Sequence, residues 1–286
     1  MNRRIEQIIV DGYTLEYSIL GEGTPILVMH GGHSNCLEEF GYEVLAKQGY
    51  CLITPSRPGY GSTSKELGDS LERASRTYIA LLDHEKVEKV HLVAVSAGGP
   101  SGIYFASRHP ERVQTLTLQS AVTKEWIKPG DKEYRAAQIL FRPGLEKIIW
   151  KLIGLMNNRF PRYMFQQMVP SFSNLPYEDV LARMKEDDIE QIRRMNNRMR
   201  SGHGFFIDLA QIGTISTQHF QAITCPTLIL HSPHDKAVPV EHAYHAKKQI
   251  PHSELVFVPT WGHLIWLGKE AGETDGKMIE FLASKG

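Results

Sequence analysis

The sequence predicts an α/β protein with a mostly parallel central sheet, helices on both faces of that sheet, and an inserted helical cap. Two observations support this prediction. Short apolar runs alternate with helix-compatible segments from residue 26 to 120, and again after Pro226, which is typical of repeated strand–helix–strand units. Between these two parts, from about Val122, the strand signals disappear and prolines divide the chain into short helical pieces.

The chain opens with two β-rich runs, Ile5–Val10 and Tyr13–Leu20, which are joined by Asp11-Gly12. That dipeptide suits a tight hairpin turn because both of its residues tolerate a positive φ. We therefore expect an antiparallel hairpin at the edge of the sheet.

The runs that follow are short and apolar, as expected for strands that are buried on both faces. The predicted elements are strand Ile26–Met29, helix Leu37–Gln48, strand Tyr50–Thr54, helix Ser70–Glu85, strand His91–Val95, helix Ser101–Arg108, strand Val113–Gln119, strand Thr227–His231, helix Val240–Gln249, strand Glu254–Val258 and helix Glu270–Ser284. We expect residues 1–121 and 222–286 to form the core domain and residues 122–221 to form the cap.

Composition narrows the possible functions. Lysine plus arginine and aspartate plus glutamate both number 32, so the formal net charge is zero and nothing indicates nucleic acid or a membrane as partner. No apolar stretch approaches the ~18 residues that a membrane span needs, and the basic start lacks the apolar region of a secretory signal. We expect a cytoplasmic protein with a small-molecule substrate; its oligomeric state stays open.

No cofactor or metal is expected. The cysteines Cys36, Cys51 and Cys225 are scattered without the spacing of a disulfide framework or a metal site. Four histidines could be mistaken for zinc ligands, but they lack an accompanying cysteine or carboxylate cluster. They are His30, His33, His231 and His234. No second glycine-rich loop indicates a phosphate or dinucleotide site.

The stretch His91–Pro100 contains a small polar residue, Ser96, between an apolar strand and a helix. A serine on such a sharp turn needs small residues two positions to either side, because the strand and helix backbones nearly touch there. Ala94 and Gly98 meet this demand. The pattern is usually G-x-S-x-G, the nucleophile elbow, and alanine replaces its first glycine here. An ordinary strand–loop–helix junction is the alternative interpretation.

Ligands of open parallel sheets bind outside the carboxyl ends of the strands, so polar residues at those ends are the candidates for chemistry. A serine hydroxyl needs a base within hydrogen-bond reach, and the base needs an orienting carboxylate. Asp235 follows the next-to-last strand and His263 follows the last one. Asp235 could instead cap the following helix, and Asp208 and Asp187 are rival acids within the cap.

With these motifs in this order, the sequence resembles the α/β-hydrolase superfamily, in its capped, esterase-like branch, over nearly the whole chain outside the cap. The motifs are His30-Gly31-Gly32, Arg57–Ser62, Ala94–Gly98, His231–Pro239 and Gly262-His263. The resemblance implies an α/β-hydrolase fold and a catalytic triad of Ser96 as nucleophile, His263 as base and then acid, and Asp235 as orienting carboxylate.

The resemblance also implies an oxyanion hole made by the backbone N–H groups of Gly32 and Ala97. By position alone, His33 and Trp126 could line the substrate pocket, and Arg57 is expected to pin its loop rather than to bind substrate. Ser56 stands where relatives often carry an aspartate.

These features predict a serine hydrolase that cleaves a small, mainly apolar ester-like substrate through an acyl-enzyme. Look-alike epoxide hydrolases and haloalkane dehalogenases attack with an aspartate at position 96, so the resemblance argues against both. Two alternatives keep the fold: hydrolysis of a carbon–carbon bond in ring-fission products, and an aminopeptidase that releases N-terminal proline. A third alternative is a non-catalytic ligand-binding protein on a hydrolase scaffold.

Overall fold

The computed structural model describes residues 2–125, 134–135, 139–142 and 144–285. An eight-stranded sheet lies at its centre, in the order β1-β2-β4-β3-β5-β6-β7-β8. The strands are β1 (Arg4–Val10), β2 (Tyr13–Leu20), β3 (Thr24–Met29), β4 (Tyr50–Pro55), β5 (Val90–Val95), β6 (Val113–Gln119), β7 (Thr227–His231) and β8 (Ser253–Phe257). β1 pairs antiparallel with β2 and β2 with β4, whereas the remaining neighbours are parallel. The predicted parallel sheet with an antiparallel hairpin at its edge is confirmed.

Helices cover both faces of the sheet, and further helices lie between β6 and β7. They are α1 (Glu43–Lys47), α2 (Leu71–His84), α3 (Gly99–Arg108), α4 (Leu145–Arg159), α5 (Pro161–Phe172), α6 (Tyr177–Arg183), α7 (Asp188–Arg198), α8 (Gly204–Ile212), α9 (Thr217–Gln221), α10 (Glu241–Gln249) and α11 (Ala271–Ala283). Alternate residues of each strand point to opposite faces. Leu27 and Met29 therefore join a core with α2, α3, α9 and α10, while Ile26 and Val28 join a second core with α1 and α11.

The predicted helix Leu37–Gln48 is wrong, because only Glu43–Lys47 is helical. Side chains from β2 and from the residue after β4 bind the backbone groups of Cys36, just before the predicted helix. Ser18 Oγ donates to the carbonyl of Cys36 at 2.5 Å, and Ser56 Oγ accepts from the Cys36 N–H at 3.0 Å. Such side-chain bonds compete with the helical ladder and hold this segment in turns.

The region between β6 and β7 is helical and carries no strand among its described residues. Helices α5, α6 and α7 share a third core with the loop after β8, built around Phe165, Trp261 and Leu264. Helix α9, in contrast, contributes Phe220 to the core beneath the sheet. No helix in the described part of the chain is both long and apolar enough to cross a membrane.

Candidate active site

Ser96 lies directly after β5, on a sharp turn between that strand and α3. Its φ is +50°, a left-handed value that non-glycine residues rarely adopt and that is often found at functional sites. The turn after Ser96 lies against the neighbouring strand β3, since a Cβ at Gly98 would lie 2.3 Å from the carbonyl oxygen of Met29. The predicted need for a small residue at position 98 thus has a measurable cause.

Ala94 occupies the position where the motif usually has glycine, and the structure shows how its methyl group is accommodated. The facing residue on α3 is Gly102. A Cβ at that position would lie 2.5 Å from the Cβ of Ala94. Gly102 on the helix therefore provides the space that a glycine at position 94 of the strand would otherwise provide.

Three side chains that are far apart in sequence meet at this turn. Ser96 Oγ lies 2.9 Å from Nε2 of His263, and Nδ1 of the same ring lies 2.8 Å from Oδ2 of Asp235. An ionised carboxylate only accepts hydrogen bonds, so Nδ1 carries the proton and Nε2 is free to accept from the hydroxyl. Asp235 Oδ1 also accepts from the Val238 N–H at 2.9 Å, so this aspartate supports its own loop as well.

The end of α5 fixes the loops that carry Asp235 and His263. The Phe172 carbonyl accepts from the His263 N–H at 2.9 Å, and a Cβ at Gly262 would lie 2.4 Å from that carbonyl oxygen. Ser173 pairs with Asp235 in an isolated antiparallel bridge. The sequence gives no signal for these contacts. Phe172 and Ser173 make them through their backbones, lie far before Asp235 in the chain and belong to no motif.

Gly32 and Ala97, whose backbone N–H groups are the predicted oxyanion donors, line the same cavity as Ser96. The N–H of Gly32 has no hydrogen-bond partner within the described part of the protein. The N–H of Ala97 belongs to the first turn of the 3-10 helix Ser96–Gly98, where N–H groups lack intrahelical acceptors. A Cβ built on Gly32 would lie 3.6 Å from the Cβ of Ala97, so the two groups are adjacent.

A buried ion pair anchors the loop that carries Gly32. Arg57 donates from Nε to the His30 carbonyl at 2.7 Å and from a terminal nitrogen to the Gly31 carbonyl at 3.2 Å. Its guanidinium also forms a bidentate pair with Asp208 of α8. Burial alone would lower the pKa of Arg57, but the Asp208 carboxylate raises it above its ordinary value. Arg57 was predicted to pin the loop after its own strand, and here it also holds the loop after β3. Asp208 pairs with Arg57 and not with His263.

Ser96 and His263 open into a cavity of about 140 Å³. Apolar side chains dominate its walls, and none of the described residues that line it is lysine or arginine. The lining residues are Gly31, Gly32, His33, Ser34, Glu38, Phe40, Val95, Ser96, Ala97, Phe172, Met195, Met199, Phe205, Asp208, Leu209, Ala237, His263, Leu264 and Trp266. Among the lining residues that the structure describes, the only carboxylate besides Asp208 is Glu38, which is paired with Arg198 at 3.1 Å and accepts from Ser34 Oγ.

His33, which was predicted to lie near the pocket, is among these lining residues. Its ring stacks on Phe205 with centroids 4.4 Å apart, and its Nδ1 lies 2.8 Å from Ser201 Oγ. Trp150 of α4 donates to the same hydroxyl oxygen at 2.8 Å. Burial lowers the pKa of His33 to about 4, so the imidazole is neutral near pH 7. Trp126, the other predicted pocket residue, lies outside the described residues.

One group of three side chains in the described part of the chain has the geometry to hold a metal ion: Glu6, His84 and Glu85. It lies beside the edge hairpin, away from Ser96. Its carboxylates already have partners, since Arg4 pairs with both and the Tyr17 hydroxyl donates to them. The histidines considered in the sequence do not belong to this group.

The parallel sheet covered by helices, with Ser96, His263 and Asp235 together at one edge, is typical of one class of protein. Comparison with known families indicates the same class. The family model described as alpha/beta hydrolase fold matches residues 24–270. The chain therefore belongs to the alpha/beta hydrolase family and is a hydrolase of that fold.

Individual relatives are similar over almost the whole chain. The protein named Uncharacterized hydrolase YcgS, from Bacillus subtilis (strain 168), is 60% identical over 99% of this chain and 100% of its own length. The 2-hydroxy-6-oxo-6-phenylhexa-2,4-dienoate hydrolase of Burkholderia cepacia is 24% identical over 96% of this chain and 93% of its own. Among solved structures, an alpha/beta hydrolase fold protein from Nakamurella multipartita superimposes with a TM-score of 0.84 at 25% identity, covering 99% of this chain and 100% of that one.

Proposed function

We propose that the protein is a serine hydrolase that cleaves a small, mainly apolar ester-like substrate through an acyl-enzyme. The observation that supports this most is the continuous chain from Ser96 Oγ through His263 to Asp235, with separations of 2.9 and 2.8 Å. A neutral hydroxyl becomes a useful nucleophile when an oriented base accepts its proton.

In the proposed reaction, Ser96 Oγ attacks the substrate carbonyl as His263 Nε2 takes the hydroxyl proton. The negative oxygen of the tetrahedral intermediate accepts from the N–H groups of Gly32 and Ala97. Asp235 stabilises the imidazolium. His263 then protonates the departing alcohol, and an ester to Ser96 remains. A water, deprotonated by the same imidazole, hydrolyses that ester and restores the free serine.

The oxyanion interaction should supply a large part of the rate enhancement, because donors that are already in place need no reorganisation during the reaction. Here the Arg57–Asp208 pair would keep the Gly32 N–H in position, by holding the carbonyls of His30 and Gly31. Arg57 and Asp208 are thus positioning residues in this proposal.

The cavity sets the scale of the substrate. Its volume of about 140 Å³ is close to that of a cavity that accepts benzene, so one substrate group of roughly that size fits beside Ser96. Methionine and aromatic side chains from α5, α7 and α8 form one wall. We propose that residues 122–221 act as a cap in this sense, with its inner side selecting apolar acyl groups.

Cleavage of a carbon–carbon bond is the second candidate, and the relative from Burkholderia cepacia is the observation that favours it. A dienoate is an anion, and its carboxylate would need a cationic partner. The described cavity lining contains no lysine or arginine, and the Arg198 beside it is engaged with Glu38. This lining supports an uncharged ester over a dienoate. An N-terminal amine would likewise have to displace Arg198 to reach the Glu38 carboxylate.

The decisive test compares Ser96→Ala with Ser107→Ala, a serine of α3 whose hydroxyl donates to the Tyr104 carbonyl. We expect Ser96→Ala to lower the turnover of p-nitrophenyl butyrate by roughly 10⁴-fold or more and Ser107→Ala to leave it unchanged. A fluorophosphonate should add its mass to the unaltered protein and not to Ser96→Ala. Undiminished ester turnover in Ser96→Ala would refute the mechanism, and slow or absent labelling would favour a non-catalytic binding protein.

A further inference from the structure

Helix α4 presents five of its apolar residues to solvent. These five are 40% to 60% exposed, and each lies three or four positions from another of them. They are Leu145, Ile148, Leu152, Leu155 and Met156. Phe160 and Tyr163, at the junction with α5, continue the same surface and are 46% and 52% exposed. A surface helix normally has the opposite arrangement, with its apolar stripe toward the core.

The buried side of α4 carries two polar residues beside Trp150, which is 6% exposed. Glu146 and Asn157 are 3% and 1% exposed, and both have partners in the protein. Glu146 accepts from the Ser201 N–H, and Asn157 donates to the Arg193 carbonyl. The orientation of the helix is therefore set by specific polar contacts, so the apolar stripe cannot turn inward without breaking them. Contiguous exposed apolar surface of this kind marks an interaction site.

Positive charge surrounds the stripe. Lys147 and Lys151 of α4 and Arg162 of α5 are exposed and have no ion pair with any described residue. From residue 139 to 176 the sequence contains a single acid, Glu146, and that side chain is buried. The net charge of zero for the whole chain therefore conceals a locally cationic surface.

This charge distribution discriminates between possible occupants. In a two-fold dimer each patch meets its own copy, so the lysines and Arg162 would face equivalent cations, and the segment 139–176 offers no acid besides the buried Glu146. An anionic bilayer satisfies both features, because apolar side chains of an interfacial helix enter the headgroup boundary while lysines contact anionic lipid. The aromatic rings of Phe160 and Tyr163 are also suited to that boundary.

We propose that the α4 face, formed by the exposed apolar residues of α4 with Phe160, Tyr163 and the flanking cations, docks the enzyme on an anionic lipid surface. The helix lies flat on the bilayer and does not span it. Its opposite side reaches the cavity, since Trp150 donates to the hydroxyl of Ser201 that also contacts His33. Docking would thus place the pocket close to the lipid, where apolar esters concentrate.

Cosedimentation with vesicles tests this proposal without any enzymatic readout, so its outcome is independent of the proposed function. The full chain is mixed with vesicles of equimolar phosphatidylglycerol and phosphatidylcholine, and separately with pure phosphatidylcholine. We expect sedimentation with the first at low salt and little with the second. Replacing Leu152 and Leu155 together by Gln should lower the partition coefficient by on the order of tenfold or more.

Replacing Lys147 and Lys151 together by Gln should lower binding to the anionic vesicles by roughly thirtyfold, as about 1 kcal/mol per lysine corresponds to about fivefold each. Ile9→Gln is the matched control: Ile9 is 69% exposed on β1, at the far edge of the sheet, and the change should leave binding intact. Unchanged melting temperatures would show that the variants are folded.

Three results would overturn the proposal. The first is absence of sedimentation with anionic vesicles. The second is equal binding to both kinds of vesicle, which would remove the role of charge. The third is light scattering that shows a dimer which the Leu152 and Leu155 replacements convert to a monomer, with no vesicle binding; the face would then belong to a second copy of the chain.

Discussion

The contact between Ala94 and Gly102 allows a direct test of how the elbow is built. In Gly102→Ala, the new methyl carbon would lie 2.5 Å from the Cβ of Ala94, far inside van der Waals contact. Overpacking of this kind costs about 1–3 kcal/mol. Alanine in a helix interior regains about 0.8–1.0 kcal/mol over glycine. The net expected loss in the free energy of unfolding is therefore between about zero and 2 kcal/mol.

Gly276→Ala provides the matched control. Gly276 lies within α11, and nothing lies within 4 Å of a Cβ built there, so this variant should gain about 1 kcal/mol from helix propensity alone. The difference between the two variants isolates the contact with Ala94 and should be about 1–3 kcal/mol. Urea unfolding followed by circular dichroism measures both values.

Adding Ala94→Gly to Gly102→Ala should relieve the contact and give a favourable coupling of at least about 0.5 kcal/mol in a double-mutant cycle. The reasoning is wrong if Gly102→Ala stabilises the protein as much as Gly276→Ala does. It is equally wrong if the two changes at the elbow are additive.

Two further predictions concern buried charge. Asp208→Ala leaves the Arg57 guanidinium, which is 3% exposed, without its partner, so the free energy of unfolding should fall by about 3–5 kcal/mol. Combining it with Arg57→Met should recover most of that loss. A double variant as unstable as Asp208→Ala alone would contradict this account. Burial first, and Lys124 second, lower the pKa of His242 to about 3, whereas the unfolded value is about 6.5. The unfolded chain therefore binds more protons below pH 6.5, and stability should fall by about 2 kcal/mol for this group between pH 7 and pH 5. His242→Asn should flatten that slope in denaturation curves, and an unchanged slope would assign it to other groups.

Most of the sheet could be predicted because apolar runs such as Thr227–His231 form strands wherever both faces are buried. Helix bounds were predicted to within a few residues for α2, α10 and α11. The segment before α1 could not be predicted, since Ser18 of β2 and Ser56, which follows β4, bind its backbone groups at Cys36. Sequence patterns describe local preference, whereas those hydroxyls are placed by the folded sheet.

The candidate site likewise has a part that the sequence could predict and a part that it could not. Ser96, Asp235 and His263 could be predicted to lie near one another because the carboxyl ends of parallel strands share one edge of a sheet, whereas their roles were implied by the resemblance to α/β-hydrolases. The structure brings them within hydrogen-bond distance of one another. The partner of Arg57 could not be identified, as Asp208 lies 151 residues further along the chain and nothing in its neighbourhood distinguishes it from other aspartates.

By itself the sequence determined the strand order along the chain, the turn at Asp11-Gly12 and the polar residues that end each strand, because these depend on neighbouring residues and on the alternation of faces. Only the tertiary structure decided which way α4 faces. Its apolar spacing predicts a stripe turned toward a core, yet the partners of Glu146 and Asn157 orient the helix with that stripe outward. Those partners come from distant parts of the chain, so the local spacing of apolar residues cannot predict them.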